Sequence, residues 1–288
     1  MMACARVRRH LRRAILRRGT GEPVTEITRE LTEIDRLALT VVRPARAAGL
    51  PLLFIHGLFA GAWMFERWMQ YFAERGRAAY AVDLRGHGSS DAIDDQGRVG
   101  LGDYVADALG AVRAVDRAVV VGHSLGGLIA QKLAELGALR AAVLVSPAPP
   151  RGISPLSLRL MARQAKYLPA LLLSREIRVG RDDADAIILN RVPFAERATV
   201  FSRFEPDSGR AGREITLGAI AVDQRRVRCP MLVLAGDEDR FIPLRVARRV
   251  AAKYGAPLRI LPGRGHLMMR EPGWAEAAAE IEKWVESL

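Results

Sequence analysis

Five short runs of apolar residues are uninterrupted by polar ones: Leu52–Ile55, Ala78–Val82, Ala118–Val121, Ala141–Val145 and Met231–Ala235. A strand with one wet face alternates apolar and polar residues, whereas a strand covered on both faces does not. Such runs therefore require a sheet with a layer on each side. Helix-compatible stretches lie between them, at Trp63–Arg75, Tyr104–Val115, Leu125–Leu136, Leu244–Tyr254 and Trp274–Val285. Strands alternating with helices predict an α/β fold with a doubly wound, mostly parallel sheet and right-handed crossovers. An alternating segment over Thr25–Val42 predicts antiparallel strands at one edge.

The alternation is interrupted once. From Pro147 to about Arg228 the strand–helix rhythm is absent, and it resumes at Pro230. The interval opens with Pro147-Ala148-Pro149-Pro150 and contains helical pieces at Leu156–Tyr167, Ala184–Arg191 and Phe194–Phe204. It predicts a helical cap, residues 147–228, inserted between two sheet strands of a core formed by 21–146 and 229–288. A chain of 288 residues buries enough surface to fold without disulfides or metals.

The formal net charge is +12, but residues 1–18 carry seven arginines, and setting these aside leaves +5. No helix-turn-helix, zinc-finger or RNA-binding signature accompanies the charge, so no nucleic-acid partner is expected. Residues 1–20 are expected to be a disordered basic tail. Val7, Leu11 and Ile15 would give a narrow apolar stripe on a helix, and contact with an anionic membrane surface through it is the minor alternative. The tail has no continuous apolar core and makes a poor secretory signal. Two cysteines, Cys4 and Cys229, form no disulfide framework and fit a reducing, cytoplasmic setting.

Chemistry concentrates at Gly122-His123-Ser124-Leu125-Gly126, followed by Gly127. This G-x-S-x-G pattern stands between a strand and a helix, where a serine is presented on a sharp turn. The flanking residues must be small so that neighbouring backbone can approach. The helix that follows directs N–H groups at the serine and favours developing negative charge. Leu128 replaces the Lys-Ser/Thr that a phosphate loop needs, and Gly97, Gly100 and Gly102 lack both the spacing and the strand of a dinucleotide site.

A serine hydroxyl needs a base, and the base needs an orienting acid. Of five histidines, His10 is in the tail and His56, His87 and His123 lie beside glycines in turns. His266 follows the last strand candidate, Leu258–Leu261, and can reach a nucleophile on the same sheet edge. The acid should fall between Ser124 and His266 in the chain. Gly236-Asp237-Glu238-Asp239 supplies three carboxylates, and spacing leaves the choice among them open.

From about Leu50 onward the chain resembles the α/β-hydrolase superfamily. Within it, the chain resembles the capped group of monoacylglycerol-lipase-like and lysophospholipase-like esterases and cofactor-free haloperoxidase relatives. The resemblance rests on His56-Gly57-Leu58, Asp83-Leu84-Arg85-Gly86-His87-Gly88-Ser89, Gly122–Gly127, Gly236–Asp239 with Pro243, and Gly265-His266. It implies a catalytic triad of Ser124, Asp239 and His266, with Asp239 placed by its distance to Pro243. It also implies oxyanion donors at the Leu58 and Leu125 N–H groups, a scaffold role for Arg85 and His87, and no cofactor or metal.

The expected activity is hydrolysis of a small-molecule carboxylic ester with a hydrophobic acyl group. A thioesterase, a C–C bond hydrolase or a cofactor-free perhydrolase would share the triad, and a non-catalytic receptor would share only the fold. The cap residues Leu156, Leu158, Leu160, Met161, Leu168–Leu173, Phe194, Phe201 and Phe204 are the expected source of the acyl pocket. The oligomeric state is left open.

Overall fold

The computed structural model describes residues 7–10, 26–155, 162–163 and 165–288. In chain order, the strands begin with β1 (Val7–His10), β2 (Ile27–Ile34), β3 (Leu37–Pro44), β4 (Leu52–Ile55), β5 (Ala79–Val82), β6 (Val119–His123) and β7 (Ala141–Val145). They continue with β8 (Glu176–Ile177), β9 (Asp207–Ser208), β10 (Met231–Gly236) and β11 (Leu258–Leu261). Nine of them form one sheet in the order β1-β2-β3-β5-β4-β6-β7-β10-β11. The ladders from β5 through β11 are parallel, and those joining β1, β2, β3 and β5 are antiparallel. All six expected strand segments lie within two residues of the observed bounds, and β4, β7 and β11 coincide with them.

Helices cover both faces. On one side lie α1 (Glu66–Glu74) and the C-terminal α8 (Trp274–Glu286). On the other lie α2 (Leu101–Ala114), α3 (Leu125–Glu135) and α7 (Leu244–Tyr254). The strand β4 shows why its run is uniformly apolar. Leu52 and Phe54 pack with Trp68, Phe72 and Ile281, whereas Leu53 and Ile55 pack with Tyr104, Leu128 and Ile129. All four are fully buried. Each such side chain contributes about 1.5–3 kcal/mol relative to exposure, so a single charge in β4 would expel the strand from its slot. The β2–β3 hairpin turns at Asp35, whose φ of 56° is the left-handed conformation that aspartate tolerates.

Of the expected disordered tail, residues 1–20, Val7–His10 lie among the described residues. Val7–His10 pairs antiparallel with β2, in register from Val7↔Ile34 to His10↔Leu31. The physical reason is the open edge of β2, whose unpaired N–H and C=O groups accept another strand more readily than they accept exposure. An extended Val7–His10 is incompatible with a helix there; Leu11 and Ile15 of the supposed stripe lie outside the described residues.

The cap joins β7 to β10. Its described elements are α4 (Leu168–Leu172), a helical turn at Arg181–Asp183 running into a π-turn at Ala184–Ile188, α5 (Phe194–Phe201) and α6 (Gly209–Thr216). Between them β8 and β9 form a two-residue antiparallel ladder that sequence alone did not suggest. Most of the expected helix Leu156–Tyr167 lies outside the described residues.

Candidate active site

Ser124 sits between β6 and α3 with φ 52° and ψ −114°, a strained conformation for a residue bearing a Cβ. Such strain costs of order 1–3 kcal/mol and persists only when the surroundings over-determine it. Here they do. The Ser124 N–H donates to the Val145 carbonyl at 3.0 Å, and the Ser124 carbonyl accepts from Gly127 and Ala148, both at 2.9 Å. A Cβ at Gly122 would meet the Gly126 carbonyl oxygen at 2.2 Å, and one at Gly126 would meet the Ile55 oxygen at 2.1 Å. The turn therefore closes only with glycine at both positions.

His266 leaves the end of β11 and meets the loop after β10. Its Nδ1 donates to Asp239 Oδ2 at 2.9 Å, while Asp239 Oδ1 accepts the N–H groups of Phe241 (2.9 Å) and Ile242 (2.8 Å). Both side chains are buried. Asp237 instead accepts the Gly263 N–H at 2.7 Å, and Glu238 lies 3.5 Å from Arg191; both are exposed. Of the three carboxylates, Asp239 is thus the one bonded to His266. With Nδ1–H committed to Asp239, Nε2 of His266 is the nitrogen left for proton transfer. Ser124 and His266 line the same small cleft, with Met64 and Leu267.

The loop after β4 approaches the serine because Gly57 lacks a side chain: a Cβ there would stand 2.9 Å from Ser124 Cβ. This brings Leu58 beside Ser124, and Leu125 follows it as the first residue of α3. His56 Nδ1 donates to the Gly57 carbonyl at 2.8 Å, and its Nε2 accepts the Leu84 N–H at 3.0 Å. Those partners require neutral imidazole. Burial, reinforced by the nearby His87, lowers the His56 pKa to about 3. His123 is likewise held neutral, chiefly by burial, and its Nε2 donates to the His266 carbonyl at 2.9 Å.

A second cavity, of about 90 Å³, opens from Ser124 and has almost wholly apolar walls. Leu58, Phe59, Ser124, Ile188 and Phe241 border both it and the cleft. Among its polar lining residues is the buried Asp183, which is paired with Arg163 (3.0 Å), Lys166 (2.6 Å) and the Tyr167 hydroxyl (2.6 Å).

The profile of the alpha/beta hydrolase family matches residues 52–279. The chain belongs to that family. It is 30% identical over 254 residues to the monoacylglycerol lipase of Mycolicibacterium smegmatis, covering 82% of this chain and 88% of that protein. It is 27% identical over 246 residues to a non-heme chloroperoxidase of Burkholderia pyrrocinia, covering 76% and 86%. Among solved structures, a soluble variant of monoglyceride lipase from Saccharomyces cerevisiae in complex with a substrate analog aligns with a TM-score of 0.71 and 17% identity. That alignment spans 92% of this chain and 96% of the other. Among the described residues of this α/β hydrolase, no helix is long and apolar enough to cross a membrane.

Two features of this α/β hydrolase's site differ from expectation or escaped it. Of the cap residues expected to line the acyl pocket, Leu168, Leu172, Leu173 and Phe194 are exposed, Phe204 borders the cleft with Ser124 and His266, and 156–161 lie outside the described residues. Of the expected leucines, Leu171 lines the cavity, because the five-residue α4 offers one face to it. The cap also contributes Ile177, Val179, Ile187, Ile188 and Ile215 to the wall, and the body contributes Leu58, Phe59, Phe241 and Ile242. Glu271 also escaped notice. It is fully buried and accepts the N–H groups of Gly265 (2.7 Å) and Leu267 (3.1 Å), which flank His266. Burial, together with the charge of Asp239, lifts its pKa to about 7.

Proposed function

We propose that this hydrolase cleaves carboxylic esters with a hydrophobic acyl group through an acyl-enzyme formed on Ser124. The observation that carries this reading is the 2.9 Å Asp239–His266 bond in a cleft shared with the strained Ser124. In the proposed cycle, His266 Nε2 takes the Ser124 proton as Oγ attacks the ester carbonyl. The Leu58 and Leu125 N–H groups hold the resulting oxyanion, where each donor is worth about 2.7–4 kcal/mol of barrier. His266 then gives the proton to the leaving alcohol, and the acyl group stays on Ser124. Water, deprotonated by His266, attacks the acyl carbonyl; the acid leaves and the proton returns to Ser124. Asp239 keeps the imidazole in the required tautomer and balances its charge.

The acyl group belongs in the apolar cavity. At ~15 Å³ per water-sized group, 90 Å³ accommodates roughly six such groups, which suits a short to medium chain. Each buried methylene gains at most about 0.8 kcal/mol, so kcat/KM should rise severalfold per carbon until the cavity is full. The relatives named as monoacylglycerol lipase support the ester reading. Those named as a non-heme chloroperoxidase and a non-heme haloperoxidase favour a second one, in which hydrogen peroxide replaces water and a peracid leaves. Labelling by a fluorophosphonate, lost in Ser124→Ala, tests the nucleophile, and nitrophenyl esters from acetyl to palmitoyl test the acyl preference. Absence of labelling would remove the serine-hydrolase reading, and a flat chain-length profile would remove the assignment of the cavity.

A further inference from the structure

Residue Phe59 is clasped by the cap on both sides of its backbone. Its N–H donates to Asp207 Oδ2 at 2.8 Å, and its carbonyl accepts the Glu205 N–H at 3.0 Å. It adopts φ 66°, a left-handed conformation that a bulky residue avoids unless its partners impose it. Phe59 directly follows Leu58, so its orientation sets the peptide that carries the Leu58 carbonyl and constrains the direction of the Leu58 N–H.

The clasp is anchored in a buried cluster. Besides Phe59, Asp207 accepts His87 Nε2 at 3.0 Å, the Tyr104 hydroxyl at 2.8 Å and the Ser208 N–H at 2.6 Å. His87 Nδ1 faces the Arg85 carbonyl at 3.0 Å, so both ring nitrogens point at acceptors and only the imidazolium satisfies both. Asp207 lies in the cap; His87 and Tyr104 lie in the body.

We propose that Asp207 is a positioning residue for ester cleavage: from the docked cap it holds Phe59 in its left-handed conformation and thereby aims the Leu58 N–H at the oxyanion. This rests on the serine-hydrolase reading of the site. Oxyanion stabilisation then exists only while the cap is seated and the His87–Asp207 pair is intact. The groups facing His87 are Asp207 and Glu205 from the cap, and Asp83, His56 and Tyr104 from the body. Burial opposes the charge on His87, but Asp207 outweighs it and raises the pKa to about 9. Turnover should therefore show an alkaline limb near pH 9.

The test compares kcat and KM for a short-chain nitrophenyl ester in the wild type, Asp207→Ala, Asp207→Asn and Tyr104→Phe. Loss of one oxyanion donor predicts a kcat about 10²-fold lower in Asp207→Ala with KM within about threefold. Asp207→Asn keeps an acceptor for the Phe59 N–H. It should recover part of kcat, lose the alkaline limb near pH 9, and report on the clasp even if the alanine variant does not fold. Tyr104→Phe removes a partner of the other carboxylate oxygen and should keep kcat. Asp207 variants that melt earlier yet keep kcat and the alkaline limb would show a purely structural residue and overturn the inference. A wild type that fluorophosphonate fails to label would remove the serine-hydrolase reading instead, so the two failures are distinguishable.

Discussion

Two buried histidine–aspartate pairs of nearly equal length lie in different parts of the molecule. His266–Asp239 spans 2.9 Å at the carboxyl edge of the sheet, and His87–Asp207 spans 3.0 Å where the cap meets the body. Their chemistry differs because of the other ring nitrogen. In His266, Nδ1 is committed and the ring borders a cleft shared with Ser124, so one nitrogen remains free to exchange a proton. In His87, the second nitrogen is committed to the Arg85 carbonyl, and the ring stays charged up to about pH 9. An aspartate beside a histidine thus leaves the ring either with one uncommitted nitrogen, as the proposed base requires, or as a fixed ion pair, and the second partner decides which.

Substitution of either aspartate should lower the rate, and substitution of Asp207 should cost more stability. The largest effect is expected at the serine: Ser124→Ala should lower esterase kcat by on the order of 10⁴-fold or more, with the melting temperature nearly unchanged. Residual activity above a few per cent would refute the assignment. Asp239→Asn should follow, costing about 10²–10⁴-fold in kcat because the wrong tautomer of His266 is then favoured. Asp237→Asn, whose partner is the exposed Gly263 N–H, should change kcat by no more than about threefold; a reversed order would mean that the wrong carboxylate is named.

Stability should run the other way. Asp207→Ala leaves a buried imidazolium unpaired and should destabilise by about 3–5 kcal/mol in chemical denaturation, more than Asp239→Asn. The His87 pKa is raised from 6.5, so the pair's contribution is complete below pH 6.5 and is lost as pH rises through about 9. Equal loss of stability from both aspartate variants would erase the distinction.

The smallest effect belongs to Glu271. Its pKa, raised from 4.5 to about 7, means that the folded protein holds a proton which the unfolded chain releases, so stability falls as pH rises from about 4.5 to 7. Glu271→Gln keeps the shape and should flatten that slope while changing kcat by no more than about threefold. A slope that survives the substitution would assign it to another group.

The sheet and the strained turn at Ser124 were legible in the chain itself. Strands such as β4 and β7 are buried on both faces, and helices on either side leave no polar position to disguise the run. The turn at Ser124 demands glycine at 122 and 126 because backbone atoms approach within about 2.2 Å of where a Cβ would stand, a local constraint that sequence displays directly. His266, the base of the proposed cycle, was marked by position, as the histidine that follows the last strand. The acid was not decided by spacing. Asp237, Glu238 and Asp239 are equivalent in composition and nearly so in position, and what separates them is which one receives the Nδ1 proton of a residue 27 positions later.

The cap was legible as an interruption with helical pieces near the observed Ala184–Ile188 and Phe194–Phe201, but not in its detail. Its π-turn, two-residue ladder and short helices are set by packing on the body, so their apolar residues follow no period. The pairing of Asp207 with His87, 120 residues apart, was invisible for the same reason. Local pattern determined the sheet, the turn and the order of the candidate groups, because those depend on residues a few positions apart. The choice of acid, the pocket wall and the clasp on Phe59 depend on contacts across the chain, where burial and partner geometry alone decide which of several identical side chains is charged, neutral or free.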